Sequence, residues 1–253
     1  VYNPYGPSIV WGRTYQSLRG PDADYEADDF GIGWSQPYNV LVKDANYHPA
    51  QGPNTMGKSL IFPNGSALGF TPSGVPSSTN QTVSCTPANL AVPLVIQWVY
   101  DPASAYGDYV VRYGDGTRWI FYTASPGKVD NTLGCAWYQL SRIDNLLIRN
   151  PCDTHEYGGL VFQYNNTPGR SGFPGLIGIV DASGGSTLLT VHHMGAAGQI
   201  DWVEDAAGRY VYYTATDHST GDPGVLYYLE LDSASQIQQG PNSMPPARWS
   251  YMY

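Results

Sequence analysis

The chain has 253 residues, 12 Lys and Arg against 21 Asp and Glu, a net charge of −9 and only 13% charged residues. No cation excess exists to displace phosphate counterions, so nucleic acid is not expected as a partner. The longest apolar run, Leu90 to Tyr100, is broken by Pro93 and Gln97 and falls short of the roughly 20 residues of a membrane span. Hydrophobic residues make up 42%, with 29 Gly, 20 Pro and 21 Tyr, which argues against disorder and for turns joined by aromatic strands.

The chain opens on Val1 without a basic-then-apolar leader, as expected of a mature chain after signal removal or of a fragment. An aromatic stretch with Tyr2 and Tyr5 comes first, then the acidic run Asp22, Asp24, Glu26, Asp28, Asp29. Oxygens at alternate positions there would gather around a hard cation such as Ca²⁺, although the run lacks the glycine and bidentate Glu spacing of a helix-loop-helix calcium site; a solvated acidic loop is the plainer reading. Gly and Pro crowd Gly52 to Ser78, which reads as long loops over an N-terminal β segment. Met56-Gly57-Lys58-Ser59 lacks the upstream glycine of a phosphate loop, so chance accounts for it.

Helical periodicity is absent, because Gly or Pro interrupts nearly every window of a dozen residues. Short aromatic or β-branched runs bounded by turn residues predict strands at Val110 to Tyr113, Arg118 to Tyr122, Trp137 to Ile143, Leu160 to Tyr164, Leu188 to His192, Ile200 to Val203, Tyr210 to Thr214 and Val225 to Leu231. Gly114-Asp115-Gly116 is the strongest hairpin signal. Residues 1–90 thus read as an irregular, loop-rich β segment and 91–253 as a hairpin region, within one continuous domain. Of Cys85, Cys135 and Cys152, the pair Cys135 and Cys152 is favoured for a disulfide, since Tyr138 to Ile148 reads as strands folding back between them. Asn64, Asn80 and Asn165 head Asn-x-Ser/Thr triplets, glycan acceptors in a secreted chain.

The last third repeats itself. Leu176 to Gly184 lines up with Gln199 to Gly208, pairing Asp181 with Asp205 and Gly184 with Gly208, each copy a strand, an Asp-x-x-Gly turn and a strand. The carboxylate would bond turn amides while Gly takes positive φ. Single hairpins are marginal in water, so such units must stack into one sheet.

These Asp-x-x-Gly hairpins resemble the rearrangement-hotspot (RHS) or YD-repeat family. Gly12 to Ser17, Phe30 to Trp34, Asp115 to Phe121 and Leu140 to Asp144 follow in that family's order. The resemblance implies an all-β, open, curled antiparallel sheet of stacked hairpins, extracellular or at the cell surface. Long members enclose a toxin and end in a self-cleaving Asp-Pro-x-Gly; here Asp222-Pro223-Gly224-Val225 and Asp101-Pro102-Ala103-Ser104 lack the final Gly, and few repeats remain.

No catalytic arrangement emerges. His192 and His193 point to opposite faces of a strand, His48, His155 and His218 stand apart, and no Gly-x-Ser-x-Gly occurs. The expectation is a non-enzymatic extracellular structural protein without a cofactor, a fibre or appendage subunit. It would assemble with copies of itself by strand addition at sheet edges, through Tyr2, Tyr5, Trp249, Tyr251 and Tyr253. The alternatives are a carbohydrate-binding module using Trp11, Trp34 and Trp202, and a fragment of an RHS toxin-encapsulating shell.

Overall fold

The computed structural model describes residues 1, 3, 7–12, 14–15, 34–47, 54–77, 81–89, 91, 93–100, 107–122, 128–130, 134–149, 157–168, 174–183, 185–194, 199–217, 229–237 and 247–250, the last two stretches as backbone alone. Among them the secondary structure is strand without helix. Strands β1 (Thr14–Tyr15) and β2 (Trp34–Ser35) form a separate ladder. A first meander follows: β3 (Leu41–Asp44), β4 (Lys58–Ile61), β5 (Ala67–Pro72), β6 (Thr82–Pro87), β7 (Leu94–Val99), β8 (Asp108–Tyr113) and β9 (Thr117–Phe121), each antiparallel to its predecessor. After β10 (Lys128–Asp130), β11 (Cys135–Gln139) and β12 (Arg142–Arg149) comes a second meander. It comprises β13 (Tyr157–Pro168), β14 (Pro174–Asp181), β15 (Thr187–Met194), β16 (Gln199–Asp205), β17 (Tyr210–Asp217), β18 (Leu229–Ile237) and β19 (Ala247–Ser250).

Strands β3 to β19 belong to a single 17-stranded sheet. Its path is set by two pairings out of chain order: β11 lies against β3, and β12 lies against β9 and β13. Only Leu140 and Ser141 separate β11 from β12, and both strands run the same way, since β3 and β9 are parallel in direction within an antiparallel meander. They are successive lengths of one broken strand. The first meander is therefore curled until both its edges meet that strand. The break is held on several sides: Ser141 N donates to Ile120 O at 2.9 Å, Phe162 N to Ser141 O at 3.0 Å, and Tyr164 Oη to Leu140 O at 2.8 Å. The sheet stays open all the same, because β10 and β19 each have one neighbour in the described ladder.

Alternation drives the curl. In β5, β6 and β7 every second residue is buried, and these side chains meet inside with those of β8, β9 and β11. Tyr109 on β8 reaches Tyr138 on β11 at 5.9 Å, and Phe70 and Trp98 pack on Tyr109 at 5.8 and 5.2 Å. Fully burying an aromatic or large aliphatic side chain contributes about 1.5–3 kcal/mol, so this interior is the main source of stability. A smaller cluster of Leu41, Ile61, Cys135 and Trp137 sits on the opposite face of β3, β4 and β11.

Three local readings change. Within Gly52 to Ser78 the described residues form β4 and β5, with Pro63-Asn64-Gly65 as the tight turn between them and Gly65 at φ 76°; Gly69 lies inside β5 and Pro72 ends it, so this stretch is strand and turn rather than long loop. Trp137 to Ile143 is interrupted at Leu140 and Ser141. Tyr138 to Ile148 does not fold back on itself, so that argument for joining Cys135 to Cys152 falls away; Cys152 lies outside the described residues. Across residue 90 the ladder continues from β6 to β7.

Candidate functional site

The turns come first, since they fix how each hairpin reverses. Asp205 Oδ1 accepts from Ala207 N at 2.9 Å and Arg209 N at 3.0 Å, Gly208 N donates to Asp205 O at 2.9 Å, and Gly208 stands at φ 74°. Burial pushes the Asp205 carboxyl up, but bonds from Arg209 and Ala207 and the Arg209 charge outweigh it and leave the group below the usual range. Asp115 Oδ1 accepts from Thr117 N at 2.8 Å, which lowers its carboxyl likewise, and Gly116 stands at φ 84°. The Asp181 turn is built differently. Its carboxylate takes Ser183 Oγ and Asn3 Nδ2, and the described residue with positive φ is Gly185 at 67°; Gly184 lies outside the described residues.

A second polar centre lies at the joint of the two meanders. Asp144 is fully buried and binds Arg118 through Oδ2 and Arg142 through Oδ1. Register places Arg118, Asp144 and Gly159 side by side across β9, β12 and β13. Gly159 has no room for a side chain: a Cβ there would meet Ile143 O at 2.5 Å and Asp144 Oδ1 at 2.7 Å. Arg118 also lies 5.7 Å from the Tyr157 ring centroid.

The third centre is inside the curl. Lys58 on β4 and Asp44 on β3 face each other in register, are 3% and 5% exposed, and form an ion pair. The Lys58 ammonium lies 5.9 Å from the Trp98 ring centroid, and Asn54 Oδ1 accepts from Nζ at 3.5 Å. Burial lowers the Lys58 pKa against the opposing pull of Asp44, and it raises that of the neighbouring Cys85 thiol to about 12. Sequence reading passed over this centre. The signal was parity: Asp44 falls on the inward register of Val40 and Val42, and Lys58 on that of Leu60.

Two features span the strands. His192, Trp202 and Tyr212 stand in register across β15, β16 and β17, with centroids 3.5 Å and 5.6 Å apart and interplanar angles of 4° and 27°. Both faces of the Trp202 indole are thus covered by neighbours, which leaves an edge rather than the open face that sugar stacking requires. Residues 7–11 form a strap: Ile9 enters the main core, Val10 N donates to Tyr38 Oη at 2.9 Å, and Trp11 Nε1 donates to Tyr213 Oη on β17 at 2.9 Å.

Of the other sequence candidates, Asp22, Asp24, Glu26, Asp28, Asn80, Tyr2, Tyr5, Tyr251 and Tyr253 lie outside the described residues, as does the side chain of Trp34. Among the described residues no three His, Cys, Asp or Glu gather as metal ligands. Asn64 is in the exposed turn after β4, where its Oδ1 accepts from Ser66 N at 3.0 Å; the Asn165 Oδ1 accepts from Gly175 N at 2.8 Å. Trp249 is in β19, paired with Ala234 of its own chain.

No family model matches the chain, and no curated protein matches it in sequence. Solved structures do match in fold. A crystal structure of TcdB2-TccC3 is similar at a TM-score of 0.58 and 10% identity over 96% of this chain and 16% of that one. A second, without the hypervariable C-terminal region, gives 0.55 and 9% over 96% and 16%. The N-terminal domain of the effector SpvB from Salmonella typhimurium strain LT2 gives 0.48 and 11% over 98% of this chain and 95% of that one. The chain spans about one sixth of the TcdB2-TccC3 chains, and the likeness is one of fold.

Proposed function

We infer that the chain is a wall segment of an RHS-type shell: a non-catalytic, extracellular β structure, without cofactor, whose curled sheet forms part of an enclosure built with other toxin components. The observation that carries this reading is the fold likeness over 96% of the chain to TcdB2-TccC3, which joins the RHS-like order of the sequence motifs. The continuous ladder supports it, because a wall grows by adding hairpins to one sheet while the aromatic rows stay inside. The fibre reading gains nothing comparable. The aromatic strand expected to reach another copy, β19, is hydrogen-bonded to β18 of its own chain.

Cryo-electron microscopy of the natural gene product tests the proposal. A hollow particle with this sheet in its wall is expected. Filaments growing with concentration would return the fibre reading, and a solid particle with no enclosed space would remove the shell.

A further inference from the structure

The buried centre around Lys58 has no part in forming a wall, yet it holds the components of a covalent reaction. Lys58 Nζ is a buried amine beside the Trp98 ring. Asn54, four residues earlier, offers a carboxamide whose Oδ1 accepts both from Nζ at 3.5 Å and from Met56 N at 2.9 Å, while its Nδ2 donates to Asn46 O. The Met56 N–H polarises the carbonyl and would hold negative charge developing on its oxygen. Asp44 touches Nζ through Oδ2, and its Oδ1 is fixed by Asn46 N at 3.1 Å. The loop is shaped for this approach: Gly57 stands at φ 64°, and a Cβ there would meet Asn46 Nδ2 at 2.3 Å.

We propose that Lys58 and Asn54 join in an intramolecular isopeptide bond, with Asp44 as the proton carrier. The bond formed is Lys58 Nζ to Asn54 Cγ, and the bond broken is Asn54 Cγ to Nδ2. Of the two protons leaving the ammonium, Asp44 keeps one and passes the other to the departing nitrogen, which leaves as ammonia. No oxidant or cofactor enters. The product places a neutral amide and a neutral carboxyl where a buried ion pair stood, removing the desolvation cost of two charges. Nucleophilic attack needs the neutral amine, which burial favours by lowering the Lys58 pKa. This inference does not depend on the shell reading, since it concerns chemistry within one hairpin.

Intact-mass measurement of the folded chain tests it. The expected mass lies below that of the sequence by one ammonia. Trypsin should fail to cut after Lys58, and fragmentation should locate the link between residues 54 and 58. The Lys58→Arg variant keeps a cation against Asp44 and should show the full mass. A native mass equal to the sequence, a loss of water in place of ammonia, or an ammonia loss that persists in Lys58→Arg would each overturn the proposal.

Discussion

Gly159 and Asp144 show how tightly one position constrains another. The glycine leaves the space in which the carboxylate meets two arginines, and nothing flexible stands in the way of an added methyl group, only Ile143 O and the carboxylate itself. Gly159→Ala should lower stability by roughly 2–3 kcal/mol in urea unfolding. Asp144→Ala, which strands both guanidiniums, should cost roughly 3–5 kcal/mol. Cys85 gives a pH prediction. Its thiol is raised to about 12 in the fold, above the ordinary value of about 8.5. Its contribution is therefore present below about pH 8.5 and is lost as pH climbs toward 12. Stability curves of the parent chain and Cys85→Ala should converge on the alkaline side, and thiol reagents should reach Cys85 only after unfolding. None of these environments was legible in the sequence, because each depends on strands distant along the chain.

At the scale of the element, the repeat turns were legible and their variation was not. Asp205 and Gly208 sit where an Asp-x-x-Gly turn predicts, since carboxylate and amides are close in sequence and need no distant partner. Asp181 departs because Asn3 and Ser183 claim its oxygens. The Asp205 carboxyl is lowered in the fold, so its contribution is present above its ordinary pKa of about 3.9 and disappears as pH falls through the folded value. Asp205→Asn should therefore be less stable than the parent at neutral pH and equal to it in strong acid, by thermal melts. Trp202→Ala breaks the stack between His192 and Tyr212 and should cost roughly 1–3 kcal/mol. Because the indole faces are covered, simple sugars should leave Trp202 fluorescence unchanged in the parent chain.

Across the whole molecule, two connections turn a run of hairpins into one curled sheet. One is the broken strand of β11 and β12, which gathers both edges of the first meander. The other is the strap of residues 7–11, which ties Tyr38 near β3 to Tyr213 on β17 through Val10 and Trp11. Trp11→Ala should loosen the second meander, and hydrogen exchange should rise in β14 to β17 while β5 to β7 keep their protection. Equal exchange throughout would show that the sheet holds its curl without the strap.

Local chemistry was settled by the sequence: strands instead of helices, and turns at Asp and Gly. Those features follow from backbone sterics and side-chain alternation within a few residues. The tertiary structure decided the break at Leu140 and Ser141, the pairing of β3 with β11 and β9 with β12, and the meeting of Lys58, Asp44 and Asn54 inside the curl. Strand order and register depend on which edges find each other after the sheet has curled, a choice made by burial of the aromatic interior over long sequence separations.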